Sequence, residues 1–262
     1  MTEAAVSRAL DLIDTQYEGP WCLPRIVRPP SSQSIAEANP FVPEGAHFIT
    51  GSLRGTAQDL ASALTVFDLI VLDPPWPNRS ARRRSDKYDT VSTLAEMRQL
   101  LACVPVQGHL TSDGVVAVWI TNREAVYDFV TSPGGLFSSW GLRLISEWTW
   151  LKVTATGEPI MPQESAFRKP WERLLVAQRV ENSRSTSLVE PKIIVAVPDV
   201  HSRKPNLRDI FDDVLGKKCI GLEVFARNLT AGWWSWGNEV LRFQGTEHWT
   251  VDQEPHEGDD SK

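Results

Sequence analysis

Cysteine and histidine are scarce in this 262-residue chain, and long apolar runs are missing. Cys22, Cys103 and Cys219 are isolated and odd in number, which argues against a disulfide framework or a zinc site and for a reducing compartment. The five histidines show no ligand spacing, so no metal is implied. No apolar stretch approaches the length of a bilayer span and the N-terminus has no signal-peptide pattern, so no membrane is expected. Neither a P-loop nor a G-x-G-x-x-G run occurs, which disfavours nucleoside triphosphates and standard dinucleotide binding. There is no internal repeat.

Charge decides little. The net charge is −6, but much of it sits in the tail, where Asp252, Glu254, Glu257, Asp259 and Asp260 face only Lys262. Without that stretch 28 acids face 26 bases, a net of −2, so only local clusters can speak for or against nucleic acid. Hydrophobic residues make up 42%, enough for one sizeable core. The eleven tryptophans suit a core or an interface. The expected organisation is an N-terminal extension or strap over 1–45, one domain over 46–245 and an acidic tail without a fold over 246–262.

Alternating strand and helix patterns fill the central region, which implies an α/β domain with a mostly parallel sheet flanked by helices. Strands are expected at His47–Thr50, Val66–Leu72, Val115–Thr121, Leu142–Val153, Arg173–Ala177, Lys192–Val197 and Cys219–Ala226. Helical spacing marks Ser7–Ile13 and Thr56–Leu64. A capping box at Thr93–Glu96 opens another helix, with Leu94, Met97, Leu100 and Leu101 on its apolar face. Asn122 can cap a helix running to about Val130. Pro205 suits the first turn of a helix over Asn206–Leu215, which would place Lys204 near a helix N-terminus, a favourable place for a carboxylate.

One stretch carries chemistry. The apolar run Val66–Leu72 reads as a buried parallel strand. Asp73-Pro74-Pro75-Trp76 follows at its carboxyl end, where open α/β sheets bind ligands. Two prolines stop the strand, remove two N–H donors and leave carbonyl oxygens to accept. The outcome is a rigid rim of acceptors beside a flat indole. Such a rim can hold both hydrogens of an aromatic amine, Asp73 taking one and the Pro74 carbonyl the other. That favours pyramidalisation of a nitrogen whose lone pair is otherwise delocalised. Trp76 can stack on a base, a contact worth roughly 1–3 kcal/mol. Asp-Pro alone would fit a strand-ending turn with a core Trp; the full tetrapeptide after a buried strand favours the rim. Beyond it lies a polar loop with Arg79, Arg82, Arg83, Arg84 and Lys87, five cations able to hold phosphates or to remain solvated. Glu223, inside its strand, can accept from ribose hydroxyls or serve as a structural carboxylate.

These residues resemble a known family, the adenine-N(6) methyltransferases that carry an Asp-Pro-Pro-Trp motif, the group containing the catalytic subunit for messenger-RNA adenosine methylation. The likeness runs from about His47 to Phe243. It rests on Phe67–Trp76, Trp119–Arg123, Glu147–Lys152, His201–Pro205, Glu223–Asn228 and Gly232–Glu239. Phe225–Leu229 and Ser235–Glu239 look most like the methyltransferase-like-four branch, whose members are similar in acting on adenosine in small nuclear RNA, at 2′-O-methylated adenosine, and have been linked to DNA adenine.

The resemblance implies a class I, Rossmann-like S-adenosylmethionine-dependent methyltransferase with permuted motif order. By the same likeness Asp73, Pro74, Pro75 and Trp76 face the amine and the methyl donor. Lys204 would pair with the methionine carboxylate of the cofactor. Glu223, Arg227, Asn228, Asn238 and Glu239 would hold the ribose and its surroundings. Ile49–Leu53 would border the cofactor adenine, with Ser52 standing where the family often has an acid. Tyr88 and the arginine loop match a substrate-gating loop; Asn122 and Glu172 fall on the substrate side. RNA is the expected partner, with DNA as alternative, no metal and no membrane. The chain is expected to work as a monomer in the nucleus, a hetero-partner and the cytoplasm remaining open. The rival readings are a DNA adenine methyltransferase, a catalytically silent binding subunit and a methyltransferase for protein amides, against which Trp76 and the arginine loop count.

Overall fold

The computed structural model describes residues 2–21, 26–27, 40–77, 91–163, 165, 168–181, 189–199 and 203–251, and one eight-stranded sheet dominates it. Phe67–Leu72 (β3) is its centre, with all six residues buried. A strand this apolar throughout needs cover on both faces. It lies between Leu110–Ile120 (β4) and Gly221–Val224 (β8), parallel to both. Beyond β8 come Trp234–Gly237 (β9) and, at the edge, His47–Thr50 (β2), again parallel. Beyond β4 come Trp171–Arg179 (β6), Leu142–Lys152 (β5) and, at the other edge, Ile193–Ala196 (β7). Only β6 runs against its neighbours. The mostly parallel α/β expectation therefore holds.

Helices cover both faces. On one face lie Leu53–Ser62 (α2), Leu94–Leu101 (α3), Glu124–Thr131 (α5) and Leu136–Ser139 (α6), whose Leu60, Met97, Val126 and Phe137 join Ile70, Leu72 and Val118 in the larger core. On the other, Arg208–Leu215 (α7) sets Phe211 against Trp148 and Leu69. A single turn, Val106–His109 (α4), leads into β4. The capping box forms: Thr93 Oγ1 accepts from Glu96 N at 3.1 Å, while the Glu96 carboxylate reaches back to Ser92 N at 2.7 Å.

The two ends of the chain differ from expectation. Thr2–Gln16 (α1) is a full helix docked on the sheet. Its Val6 is buried with Leu151, Val153 and Trp171, and Trp21 packs on Gly157. The expected tail starts too early. Thr246–His248 form a 3-10 turn, and Thr250–Val251 (β10) pair with Ile26–Val27 (β1). Trp249 is the reason: its ring meets Phe41 at 5.4 Å and its indole N–H donates to the Phe243 carbonyl at 2.9 Å. An acidic composition hid one aromatic anchor.

Because β3, β4, β8, β9 and β2 are parallel, their following loops meet at one edge, where the order turns from β3 to β4 on one side and to β8 on the other. The start of antiparallel β6 and the ends of β5 and β7 reach the same edge. That is where α/β sheets hold ligands. At the opposite end of β8 the sheet is tightly closed: a Cβ on Gly221 would lie 2.4 Å from the Trp233 ring. Gly221→Ala should therefore cost about 1–3 kcal/mol through overpacking. Urea unfolding should show a lower midpoint with unchanged slope.

Candidate active site

The rim forms as the sequence suggests, with two refinements. Asp73 leaves β3 half-buried, and Pro74 and Pro77 are buried. The Pro74 carbonyl is not fully free: it accepts from Trp76 N at 2.8 Å, leaving its second lone pair. The Trp76 indole N–H donates to the Trp119 carbonyl at 2.8 Å, and its ring stands edge-on to Phe129, centroids 5.9 Å apart. Arg123 donates to the Pro77 carbonyl. The turn is thus tied to β4 and to the start of α5, which fixes the indole plane.

Asp73 is engaged by a lysine. Lys204 Nζ lies 3.0 Å from each Asp73 carboxylate oxygen and 3.2 Å from Glu172 Oε2. Glu172 is in turn paired with Lys152. Four alternating charges therefore cross from β5 through β6 and the segment before α7 to β3. Burial alone would push the Glu172 carboxyl up, but Lys204 and Lys152 outweigh it and hold it below the usual range. Burial likewise works against the Lys204 ammonium, yet Asp73 and Glu172 hold its pKa above the usual lysine value. Lys204 does not sit at a helix N-terminus. Asn206 Oδ1 accepts from Arg208 N at 2.9 Å and delays α7 to Arg208, four residues past Lys204. Its environment is two carboxylates and the Trp119 ring, 5.8 Å away.

Two clefts flank the rim. One is lined by Leu53, Pro75, Leu100, Phe225, Ala226, Asn238 and Glu239. Phe225 adopts φ 63°, a left-handed conformation costing of order 1–3 kcal/mol in a bulky residue. Gly237 faces it at φ 157°, where a Cβ would come within 3.2 Å of Phe225 Cα. This close approach ends β8 at Val224, short of the expected Ala226. The second cleft is lined by Trp119, Lys204, Asn206, Glu223, Asn228, Thr230 and Trp233, among others. Trp233 lines it from the Gly221 end of β8, and among the described residues its buried Nε1 has no hydrogen-bond partner. An ammonium fits an anionic group, carboxylate and amides fit a diol, and the Leu53–Phe225 cleft fits an apolar ring. The donor set thus suits S-adenosylmethionine, the cofactor that the resemblance implies.

The structure gathers Asp73, Pro74, Pro75, Trp76, Lys204, Glu172, Glu223, Asn228, Asn238, Glu239 and Leu53 around this edge. It does not use the others as expected. Ser52 caps α2, its Oγ accepting from Gly55 N at 3.1 Å, so a helix end occupies it. Arg227 lies at the turn after β8 and lines neither cleft. Asn122 is no cap: Arg123 holds that place at α5, and Asn122 Nδ2 donates to the Trp171 carbonyl at 2.7 Å, pinning the residue before Glu172. Arg79, Arg82, Arg83, Arg84 and Tyr88 lie outside the described residues. Lys152, Asn206, Thr230, Phe225 and Trp233 went unassigned in the sequence, because only pairing distant in sequence brings them here. Among the described residues no cluster of His, Cys, Asp and Glu is arranged to hold a metal, and no helix is long and apolar enough to cross a membrane.

Comparison with known proteins bears on this edge directly. Residues 67–239 match the MT-A70 family. The N6-methyladenosine RNA methyltransferase MTA1 of Cryphonectria parasitica is 51% identical over 249 residues, covering 95% of this chain and 72% of that protein. The N(6)-adenine-specific methyltransferase METTL4 of Mus musculus is 39% identical, over 71% of this chain and 40% of its own length. A DNA N6-methyl methyltransferase of Caenorhabditis elegans is 30% identical, over 79% of this chain and 54% of its own.

The charge chain sets a pH dependence of stability. The Glu172 carboxyl is depressed in the folded state, so its contribution is present above its unfolded pKa and is lost as pH falls through the folded value. Lys204 is raised, so its share is complete below its unfolded pKa and is lost only as strong alkali passes the folded value. Glu172→Gln should therefore lower the melting temperature at neutral pH, and the gap to wild type should close below about pH 4. Thermal unfolding across pH measures this; a gap constant down to strong acid would contradict it.

Proposed function

The chain belongs to the MT-A70 family, and from that premise we propose that it methylates adenine N6 in RNA, with Asp73 and the Pro74 carbonyl receiving the two amine hydrogens. It is an S-adenosylmethionine-dependent adenine-N6 methyltransferase. The observation that carries the reading of the site is the Asp73 carboxylate, locked through both oxygens by Lys204, on a proline-stiffened turn between two clefts.

The cofactor supplies a methyl group on a cationic sulfur that is its own leaving group. The chain's task is position. Asp73 accepts one amine hydrogen, and the remaining lone pair of the Pro74 carbonyl accepts the other. With both hydrogens held, the nitrogen lone pair leaves conjugation with the ring and is directed along one line, a proximity effect. Asp73 need not take a proton before attack; the one proton that the methylated nitrogen must then shed would pass to solvent. Lys204 holds the Asp73 carboxylate stationary, and its positive charge would attract the methionine carboxylate. Glu223, Asn228, Asn238 and Glu239 would hold the ribose side, and Leu53 and Phe225 the adenine. Trp76, its edge tied to Trp119, offers a ring face to the target base. A base reaches this rim only after leaving its stack, which favours single-stranded or looped substrates.

RNA is supported by the name of the Cryphonectria relative. Within RNA we take 2′-O-methylated adenosine in small nuclear RNA as the target and the nucleus as the place of action; the likeness of Phe225–Leu229 and Ser235–Glu239 to the methyltransferase-like-four branch supports this. A DNA substrate is the second reading, favoured by the name of the worm relative. The intact Asp73–Lys204 pair counts against a silent binding subunit. Transfer of labelled methyl to RNA, DNA and protein, followed by nucleoside analysis, should place the label on N6-methyladenosine from RNA; label confined to DNA or protein refutes the proposal. Asp73→Ala should reduce turnover by about 10²-fold or more, while calorimetric cofactor affinity falls only partly. Normal turnover in that variant would remove Asp73 from the mechanism.

A further inference from the structure

The charge chain has an outer member without a part in the chemistry above. Lys152 ends β5, and its strand neighbour Trp150 stands opposite Glu172 on β6, so Lys152 lies on the diagonal that long side chains bridge. It is held in advance. Its backbone N–H donates to the Pro170 carbonyl at 2.7 Å, its carbonyl accepts from Ile160 N at 3.1 Å, and its ammonium sits 4.7 Å above the Trp150 ring. It pairs with Glu172. The four side chains from Lys152 to Asp73 are between 12% and 23% exposed.

We propose that Lys152 is a positioning residue for methyl transfer: by pairing with Glu172, it stops that carboxylate from drawing Lys204 off Asp73. The inference rests on the reading of Asp73 given above. Two carboxylates contend for one ammonium, Asp73 at 3.0 Å and Glu172 at 3.2 Å. With Lys152 present the chain has two cations and two anions. Without it one mostly buried carboxylate lacks a full partner, a state that partly buried ion pairs tolerate poorly. Relief comes either by moving Lys204 toward Glu172 or by protonating Glu172. The first loosens Asp73. The second restores the Lys204–Asp73 pair, and it becomes easier once one of the two cations that hold the Glu172 carboxyl down is gone.

This predicts a defect that depends on Glu172 and on pH. In Lys152→Met, kcat should fall about tenfold at neutral pH, the scale of coupling between groups in one network. The deficit should shrink as falling pH protonates Glu172, which in this variant keeps only one of the two lysines that hold its carboxyl down. In a Glu172→Gln background the same substitution should change kcat little, and Lys152→Arg should keep wild-type activity. If Lys152→Met does not fold, Lys152→Met/Glu172→Gln compared with Glu172→Gln alone decides: near-equal kcat supports the proposal, a further tenfold loss overturns it. Wild-type kcat in Lys152→Met, an equal loss in both backgrounds, or a pH-independent deficit also overturns it. A wild-type protein that transfers no methyl to any nucleic acid is a different result, and it defeats the reading of Asp73 itself.

Discussion

The contact between Lys204 and both oxygens of Asp73 is the constraint around which the site is arranged. A carboxylate at the end of a buried strand is expensive unless paired, and breaking such a pair by removing one partner costs about 3–5 kcal/mol. Pairing it with a lysine that also meets Glu172 fixes its rotamer and its distance from the rim together. A hydrogen-bonding carboxylate needs both if it is to orient an amine. Trp119 contributes twice, through the carbonyl that holds Trp76 and through the ring under Lys204.

The fold makes this contact possible by bringing separate strand ends to one edge. Asp73 follows β3, Phe225 follows β8, Asn238 follows β9 and Leu53 opens the helix after β2. The parallel run of those strands is why they share an edge. Reversed β6 brings Glu172 to the same place from the opposite chain direction, and Asn122 secures it through the Trp171 carbonyl. Local strain concentrates here too. Phe225 keeps a left-handed backbone because Gly237 allows the two turns to touch.

Much of this was legible beforehand. The run Phe67–Leu72 identified itself by continuous hydrophobicity, and the turn after it by two prolines, because both signals are local. Lys204, Glu172 and Glu223 could be singled out by likeness to a family, while the pairing of Lys204 with Asp73 and Glu172 could not. Asn122 shows the limit: its residue type suits a helix cap, yet a strand carbonyl 49 residues away wins its amide. Ser52 shows the reverse, a residue considered for a ligand and taken by a local cap. Pro205 looked like a helix start, but Asn206 formed its own turn first. Tertiary geometry decided Asn122; a hydrogen bond two or three residues away decided the other two.

The sequence by itself determined the α/β class, the buried catalytic strand, the stiff acceptor turn and the absence of any phosphate-binding glycine loop, since each depends on neighbours a few residues apart. Only the tertiary structure decided that Lys204 grips Asp73 and that Glu172 and Lys152 extend the pair into a neutral chain. Those contacts join strands and loops far apart in sequence. Their strength depends on distance and burial, which no pattern of residue types records.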